Sequence, residues 1–283
     1  MGVKMWFEEI HNNFFKQGLK IEKKLFETKS RYQKIEVYDS KEFGKILVID
    51  DHAMLCQKDE FIYHEMMAHV AVCTHKEPKK VLIIGGGDGG VAKEVLRHSN
   101  IEVDLVEIDQ KVVEVSKEFF PEIGDWENKR LNLIIDDGIK FVRDAKDKTY
   151  DIVLVDSTDP EGPAKGLFNK SFYAHVNRIL KDDGLVVAQG ESWWIDIDLH
   201  KEILGIIGEF FKIVMPYRFE MYSYPGCNWN FILGSKFYHP TADMILQRAE
   251  LIDDLKYYNS DIHKASFILP NYIKKELGNL YKW

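Results

Sequence analysis

Four short stretches carry the residues whose types and spacing could do chemistry. The first is Gly85-Gly86-Gly87-Asp88-Gly89-Gly90, five glycines in six positions. It matches G-x-G-x-x-G at Gly85, Gly87 and Gly90. Such a loop turns tightly and lets a ligand approach the backbone. Glu107-Ile108-Asp109 follows about twenty residues on, the spacing at which an acid holds ribose hydroxyls. Asp136-Asp137-Gly138 offers a carboxylate to an adenine amino group, or a turn with a helix N-cap. Asp156-Ser157-Thr158-Asp159-Pro160-Glu161-Gly162-Pro163-Ala164 supplies two acids three residues apart, a candidate proton acceptor and its neighbour.

The glycine loop and the downstream acid fit two nucleoside ligands, a dinucleotide or one of the S-adenosylmethionine type. Asp88 discriminates between them. A pyrophosphate sits against such a loop at a helix N-terminus, and a carboxylate inside the loop would repel it. Intact S-adenosylmethionine would bring its own carboxylate to the same place. The residues fit best a nucleoside whose tail is purely cationic. Further acids and aromatics suit a methylene chain with ammonium ends: Tyr63-His64-Glu65, Gln189-Gly190-Glu191, Tyr222-Ser223-Tyr224-Pro225-Gly226 and Trp229-Asn230-Phe231. Two metal signals fail. His64 and His69 stand five apart, whereas H-E-x-x-H needs four. Asp50-Asp51-His52 reads as a charged hairpin turn.

These groups need a frame. After Asp59 the chain alternates apolar runs with helical stretches. The runs are 81–84, 103–108, 131–135, 152–155 and 185–188; the helices are 61–72, 91–98, 110–119, 139–144 and 170–180. Runs apolar on both faces, alternating with helices, predict a parallel, doubly wound sheet. Ligands bind there beyond the carboxyl ends of the strands, where all four stretches lie. From about Leu19 to Cys56 the pattern is instead that of a small antiparallel β-module, with strands near 35–38, 46–49 and 53–57. The division expected is therefore 1–58 and 59–283.

Composition sets the outer bounds. The 283 residues carry 38 Lys and Arg against 46 Asp and Glu, a net charge of −8. With 45% hydrophobic residues this is an ordinary globular composition. The acidic balance disfavours nucleic acid and favours cationic small molecules. No apolar run reaches about eighteen residues, so no membrane span is expected. Glu8 and Glu9 interrupt any apolar leader, and Cys56, Cys73 and Cys227 form no CxxC pair. A cytoplasmic chain is expected, without zinc ribbon or redox dithiol.

With these residues in view, the chain resembles the spermidine synthase family of aminopropyltransferases. The resemblance rests on Tyr63-His64-Glu65-Met66, the Gly85–Gly90 loop, Glu107-Ile108-Asp109, Asp137-Gly138, Asp156-Ser157-Thr158-Asp159-Pro160, Gly162-Pro163-Ala164 and Tyr224-Pro225. Trp6-Phe7, Arg31-Tyr32-Gln33 and the stretch 261–267 extend it over essentially the whole chain. It implies a small N-terminal antiparallel β-domain and a Rossmann-like, methyltransferase-type catalytic domain. It implies aminopropyl transfer from decarboxylated S-adenosylmethionine, a co-substrate, to putrescine, without cofactor or metal, in a homodimer or homotetramer. Gln33, Gly85, Gly87, Glu107, Asp137, Gly138 and Pro163 would hold the methylthioadenosine part. His64, Asp88, Ser157, Thr158, Asp159, Glu191, Tyr224 and Trp229 would hold the aminopropyl group and the amine. Asp156 would accept the proton, with Tyr63 and Asp159 beside it. A lid is expected over 159–168. The stretches 189–191 and 220–227 lie on the acceptor side and leave agmatine, cadaverine or a longer polyamine as alternatives to putrescine. Other classes weighed are an amine N-methyltransferase, an inactive scaffold and an NAD dehydrogenase.

Overall fold

The computed structural model describes residues 5–11, 13–158 and 162–283. The chain opens with a two-stranded antiparallel sheet, β1 (Met5–His11) and β2 (Phe15–Ile21). A four-stranded antiparallel sheet follows in order: β3 (Lys23–Lys29), β4 (Lys34–Ser40), β5 (Gly44–Ile49) and β6 (His52–Cys56). The sequence placed this module from Leu19 onward. The structure begins it at Met5; in β1 three apolar residues run into the adjacent Glu8 and Glu9, so no alternation of period two marks the strand in the sequence. Asp50 and Asp51 make the tight β5–β6 turn with φ of 46° and 67°, and Asp50 accepts a hydrogen bond from the Lys34 N–H at 2.8 Å.

The larger sheet has seven strands. β7 (Lys80–Gly85), β8 (Glu102–Glu107), β9 (Leu131–Ile135), β10 (Tyr150–Asp156) and β11 (Leu180–Gln189) are the five expected parallel strands. β12 (Ile213–Glu220) and β13 (Asn228–Ser235) complete the order β12-β13-β11-β10-β7-β8-β9. The sheet is therefore mixed rather than wholly parallel, since β13 pairs antiparallel with both β11 and β12. Two features hid this hairpin. Pro216 lies inside β12, which an edge strand tolerates. Trp229 and Phe231 read as ligand-side aromatics; both are strand residues of β13, and Trp229 also lines the cleft described below.

Helix α1 (Glu60–Thr74) is buried along nearly its whole length, from Ile62 through Thr74. It is a core element, with Met66 and Met67 fully enclosed. Each such side chain contributes about 1.5–3 kcal/mol by leaving water. Its polar residues are consequently all committed. Glu65, grouped by the sequence with ligand-side acids, accepts instead from the backbone N–H groups of Lys256, Tyr257 and Tyr258 at 2.8–2.9 Å. It anchors the C-terminal segment. Helix α2 (Gly90–Leu96) follows β7 and α3 (Gln110–Phe119) follows β8. α4 (Gly138–Asp144), α5 (Lys170–Ile179) and α6 (Ile197–Phe210) follow β9, β10 and β11. The N-terminal sheet shares an apolar core with α3, in which Ile35, Val37 and Leu47 meet Val112, Val115 and Phe120.

The sheet runs outward from β7 and β10 in opposite directions, so these two neighbours form its switch point. Their last residues pair, Asp156 opposite Gly85. A Cβ on Gly85 would lie 1.9 Å from the Asp156 carbonyl oxygen, at a φ of +84°. Neither strand can retreat. Gly85→Ala should therefore cost about 2–4 kcal/mol. Gly278, whose φ is +52° with nothing within 4 Å, isolates the strain of the left-handed backbone alone. Gly278→Ala should cost about 1–2 kcal/mol. Equal losses in urea unfolding would show that the strand contact at Gly85 contributes nothing.

Candidate active site

Above the switch point lies a cleft open to solvent. Its lining gathers residues from both halves of the chain. Gln33 and Ala53–Leu55 come from the N-terminal sheets, Tyr63 and His64 from α1, and Gly85–Asp88 follow β7. Glu107 ends β8, Asp137 and Gly138 open α4, Asp156–Thr158 end β10, and Tyr224, Pro225 and Trp229 flank the β13 entry. Ala164 and Leu167 join them from the helical turn Gly162–Phe168. Asp159 and the side chain of Pro163 lie outside the described residues, as does the start of the expected lid.

On one side of the cleft the chain presents groups suited to a nucleoside. Glu107 is buried and its Oε1 accepts from the Asp109 N–H at 2.8 Å. Burial pushes its carboxyl up to about 7, and the neighbouring Asp109, Asp156 and Asp88 push the same way. Asp109, the sequence's companion to Glu107, caps α3 and takes Gln33 Nε2 at 3.1 Å and Ser30 Oγ at 2.6 Å. It positions Gln33, which lines the cleft. Asp137 accepts from the N–H groups of Ile139 and Lys140 as the cap of α4. It is both the helix cap and part of the cleft wall. Asp136 turns away to Lys140 at 3.1 Å.

The other side is built around His64. Its Nδ1 meets Glu60 Oε2 at 2.6 Å and its Nε2 lies 3.4 Å from Asp88 Oδ1. Burial alone would hold the imidazole neutral. Asp88 and Glu60 outweigh it and raise His64 well above its ordinary value, so it carries a proton at neutral pH. Asp88 is pushed up by burial but ends below the usual carboxylate range through His64 and the Gly90 N–H, 2.7 Å from Oδ1. The ring fits only because residue 90 is glycine; a Cβ there would stand 2.2 Å from it. Glu60 was missed in the sequence, although its i,i+4 spacing to His64 at a helix start is a readable signal.

Asp156 stands between the two sides. Tyr63 Oη donates to Asp156 Oδ1 at 2.8 Å and reaches Gln189 Oε1 at 2.9 Å. The phenol stays neutral, lifted by burial and by Asp156 itself. Asp156 Oδ2, Ser157 Oγ and Trp229 Nε1 are buried without a hydrogen-bond partner among the described residues. Three such atoms in one wall mark where a polar ligand belongs. Burial and the nearby Asp88 lift the Asp156 carboxyl to about 7, against the opposing pull of His64 and Tyr63. That matches a group that exchanges protons near neutrality. Tyr224 donates to the Met54 carbonyl at 2.7 Å and packs edge-on against Trp229, ring centroids 4.8 Å apart. Glu191, expected among the amine-binding acids, does not line the cleft. The chain turns at Glu191 with φ of 62°, and its carboxylate receives Gln189 Nε2 at 3.0 Å. Gln189 takes the place on the wall.

Comparison with known proteins agrees with this geometry. Residues 60–244 match the spermine/spermidine synthase domain and residues 5–56 the spermidine synthase tetramerisation domain. A polyamine aminopropyltransferase of Methanocaldococcus jannaschii is 42% identical over 276 residues, covering 95% of this chain and 94% of its own. One from Clostridioides difficile is 44% identical, covering 97% and 99%. A spermidine synthase solved in complex with the transition-state analogue AdoDATO superposes with a TM-score of 0.94 at 35% identity, covering 97% of this chain and 95% of that one. The spermidine synthase of Thermotoga maritima gives 0.91 at 34%, covering 97% and 94%. Matching both family domains and these relatives over nearly its whole length, the chain belongs to the spermine/spermidine synthase family and is an aminopropyltransferase.

Proposed function

We propose that this aminopropyltransferase is a spermidine synthase: it moves the aminopropyl group of decarboxylated S-adenosylmethionine to putrescine, giving spermidine and methylthioadenosine. The observation that carries the reading is Asp156, which lines the cleft with one oxygen held by Tyr63 and the other buried without a partner among the described residues, at a carboxyl value of about 7. Glu107, Asp137 and Gln33 hold the nucleoside. Asp88, kept ionised by His64, holds the cationic end of the aminopropyl chain. Ser157, Thr158, Gln189, Tyr224 and Trp229 frame the amine, and Asp159 belongs with them.

The acceptor arrives as an ammonium, near the lysine value of about 10.4 in water. Asp156 takes one proton from it. The freed nitrogen lone pair attacks the aminopropyl carbon next to sulfur, the C–S bond breaks, and its electron pair stays on sulfur as a neutral thioether. The sulfonium is already a good leaving group, so the protein supplies alignment, proton acceptance and an anionic environment. The chemistry calls on no metal or redox cofactor. The active form is a homo-oligomer. Trp6, Ile10 and Phe14 of the first hairpin are 53%, 61% and 68% exposed, an outward apolar face within the segment that matches the tetramerisation domain. The buried Cys56 and Cys73 are free thiols, consistent with a reducing cytoplasm.

Three outcomes test this. Turnover with decarboxylated S-adenosylmethionine should release methylthioadenosine with putrescine faster than with cadaverine, agmatine or spermidine, and not without an amine. Mass spectrometry of the products decides, and preference for another amine would replace the acceptor. Asp156→Asn should lower kcat by about 10²–10⁴-fold while methylthioadenosine binding stays within a few-fold. In the wild type with the donor saturating, kcat/KM for the amine should fall tenfold per pH unit once Asp156 becomes protonated, at a pH below the empty-site value of about 7 because the bound sulfonium favours the carboxylate. A flat profile there would remove Asp156 from the proton transfer. The same acid should weaken the ligand-free fold. Its folded value lies above its ordinary one, so its contribution is intact below about pH 4 and is lost as pH rises through about 7. Asp156→Asn should therefore raise Tm at pH 8 by a few degrees, about 1–2 kcal/mol, and do nothing at pH 4.

A further inference from the structure

Along β1, burial runs against polarity. Glu9 is 4% exposed while its neighbour Ile10 is 61% exposed. The strand's period of two therefore turns Phe7, Glu9 and His11 inward and Glu8 and Ile10 outward. A local rule broken this way needs a reason. Opposite β1, His52 opens β6 just after the Asp50–Asp51 turn. Glu9 Oε1 lies 2.7 Å from His11 Nε2 and 3.1 Å from His52 Nδ1. Its other oxygen takes the Ala53 N–H at 3.2 Å, which fixes the carboxylate from behind. The two imidazole rings cross at 61° with centroids 5.6 Å apart, so both turn a nitrogen toward the one carboxylate oxygen. The three ligand atoms all lie within 4.8 Å of one another, and the three residues line the cleft.

We propose that Glu9, His11 and His52 bind a divalent transition-metal ion of the zinc class, and that the bound ion opposes entry of the amine. Two imidazoles and one carboxylate are a borderline donor set that suits zinc, cobalt or nickel rather than magnesium or calcium. Three protein ligands leave a fourth tetrahedral position open. At metal–ligand distances of about 2.0–2.2 Å the tetrahedral edges are about 3.3–3.5 Å. The separations present need only side-chain rotation to reach that. Each ligating nitrogen that donates a proton to Glu9 releases it to solvent or passes it to the other ring nitrogen, and the lone pair so freed binds the metal; no oxidant or reductant is needed. The ion would sit on the acceptor wall, because Met54, two residues beyond His52, holds Tyr224 through its carbonyl. A fixed positive charge there repels an ammonium. That inhibitory half rests on the proposed acceptor being a polyamine; the binding half does not.

The test uses the full chain, stripped with chelator. Zinc is titrated calorimetrically, and cobalt is followed by its visible d–d absorption. One ion per chain is expected, with the intense absorption of a tetrahedral site. His52→Gln and His11→Gln, each checked by thermal unfolding, should weaken binding by at least about tenfold, the effect that even a partner behind a ligand commands. Two other places compete: the His75–Asp151–Asp183 cluster and the exposed Cys227 thiol. Unchanged binding in His52→Gln, or loss of binding in His75→Gln or Cys227→Ser instead, would overturn the site. Kinetically, zinc should raise the amine KM at constant kcat, and His52→Gln should relieve this. Zinc binding at Glu9 that leaves the amine KM untouched would overturn the inhibitory half while leaving the site. Absence of turnover with every amine would overturn the proposed function and leave the metal titration readable.

Discussion

The structure turns on a carboxylate kept where water and counter-charges do least for it. Asp156 sits at the end of β10 beside Gly85, its register partner, where burial and Asp88 raise the cost of its charge more than His64 and Tyr63 lower it. Asp88 lies across the glycine loop and Glu107 at the next strand end, so three acids converge on one cleft. Only one cation, His64, faces them there among the described residues, and Glu60 shares it. Such a site is intrinsically unfavourable when empty and favourable when it holds positive charge. The fold supports it by rigidity. Two parallel strands fix the acids, α1 is enclosed along its length, and Glu65 ties that helix to three backbone amides of the C-terminal segment.

This arrangement separates two ways of handling an acid. Asp88 is ionised because His64 and a backbone amide lie against it. Asp156 has a phenol on one oxygen and no partner for the other among the described residues, so its proton is loosely held near neutrality. Two carboxylates a few residues from one switch point thus differ in ionisation because of their surroundings, and the proposed function gives one the task of holding charge and the other that of exchanging a proton. The sequence shows the two acids but not the division. That comes from Tyr63 and His64, adjacent on α1, one reaching each acid.

What could be read from the sequence follows the same division between local and distant. The glycine loop, the acids at strand ends and the five parallel strands announce themselves through spacing and apolar runs, because their roles are set by nearby chain. The β12–β13 hairpin did not, since Pro216 and the aromatic Trp229-Asn230-Phe231 stretch belong to an edge whose pairing is decided by β11, forty residues away. Glu191 looked like the acid of the fifth strand end, and no local feature shows that a positive φ turns it behind Gln189. Glu9 was invisible for the opposite reason. In Trp6-Phe7-Glu8-Glu9-Ile10 nothing says which of two adjacent glutamates faces in; His52, reached only through the fold, decides it.

The acid cluster also bears on how the site chooses ligands. With Glu107 and Asp156 each lifted to about 7, part of the acid charge of the cleft is protonated in the free protein at neutral pH. Each cation that enters favours the ionised form and so draws a proton out of the cleft. Binding of a sulfonium would lower the carboxyl value of Asp156 before the amine arrives, which leaves a stronger attraction for an ammonium but a weaker base to deprotonate it. In the proposed reaction, selection of a cation and acceptance of its proton thus pull the same group in opposite directions. Tyr63 moderates this conflict. Its hydrogen bond supports the charged carboxylate when the site is anionic, and it stays a neutral donor throughout. A neighbour with a full positive charge would pin Asp156 as a carboxylate and forfeit the proton transfer; an apolar one would leave it protonated and forfeit the attraction. A buried phenol sits between those limits.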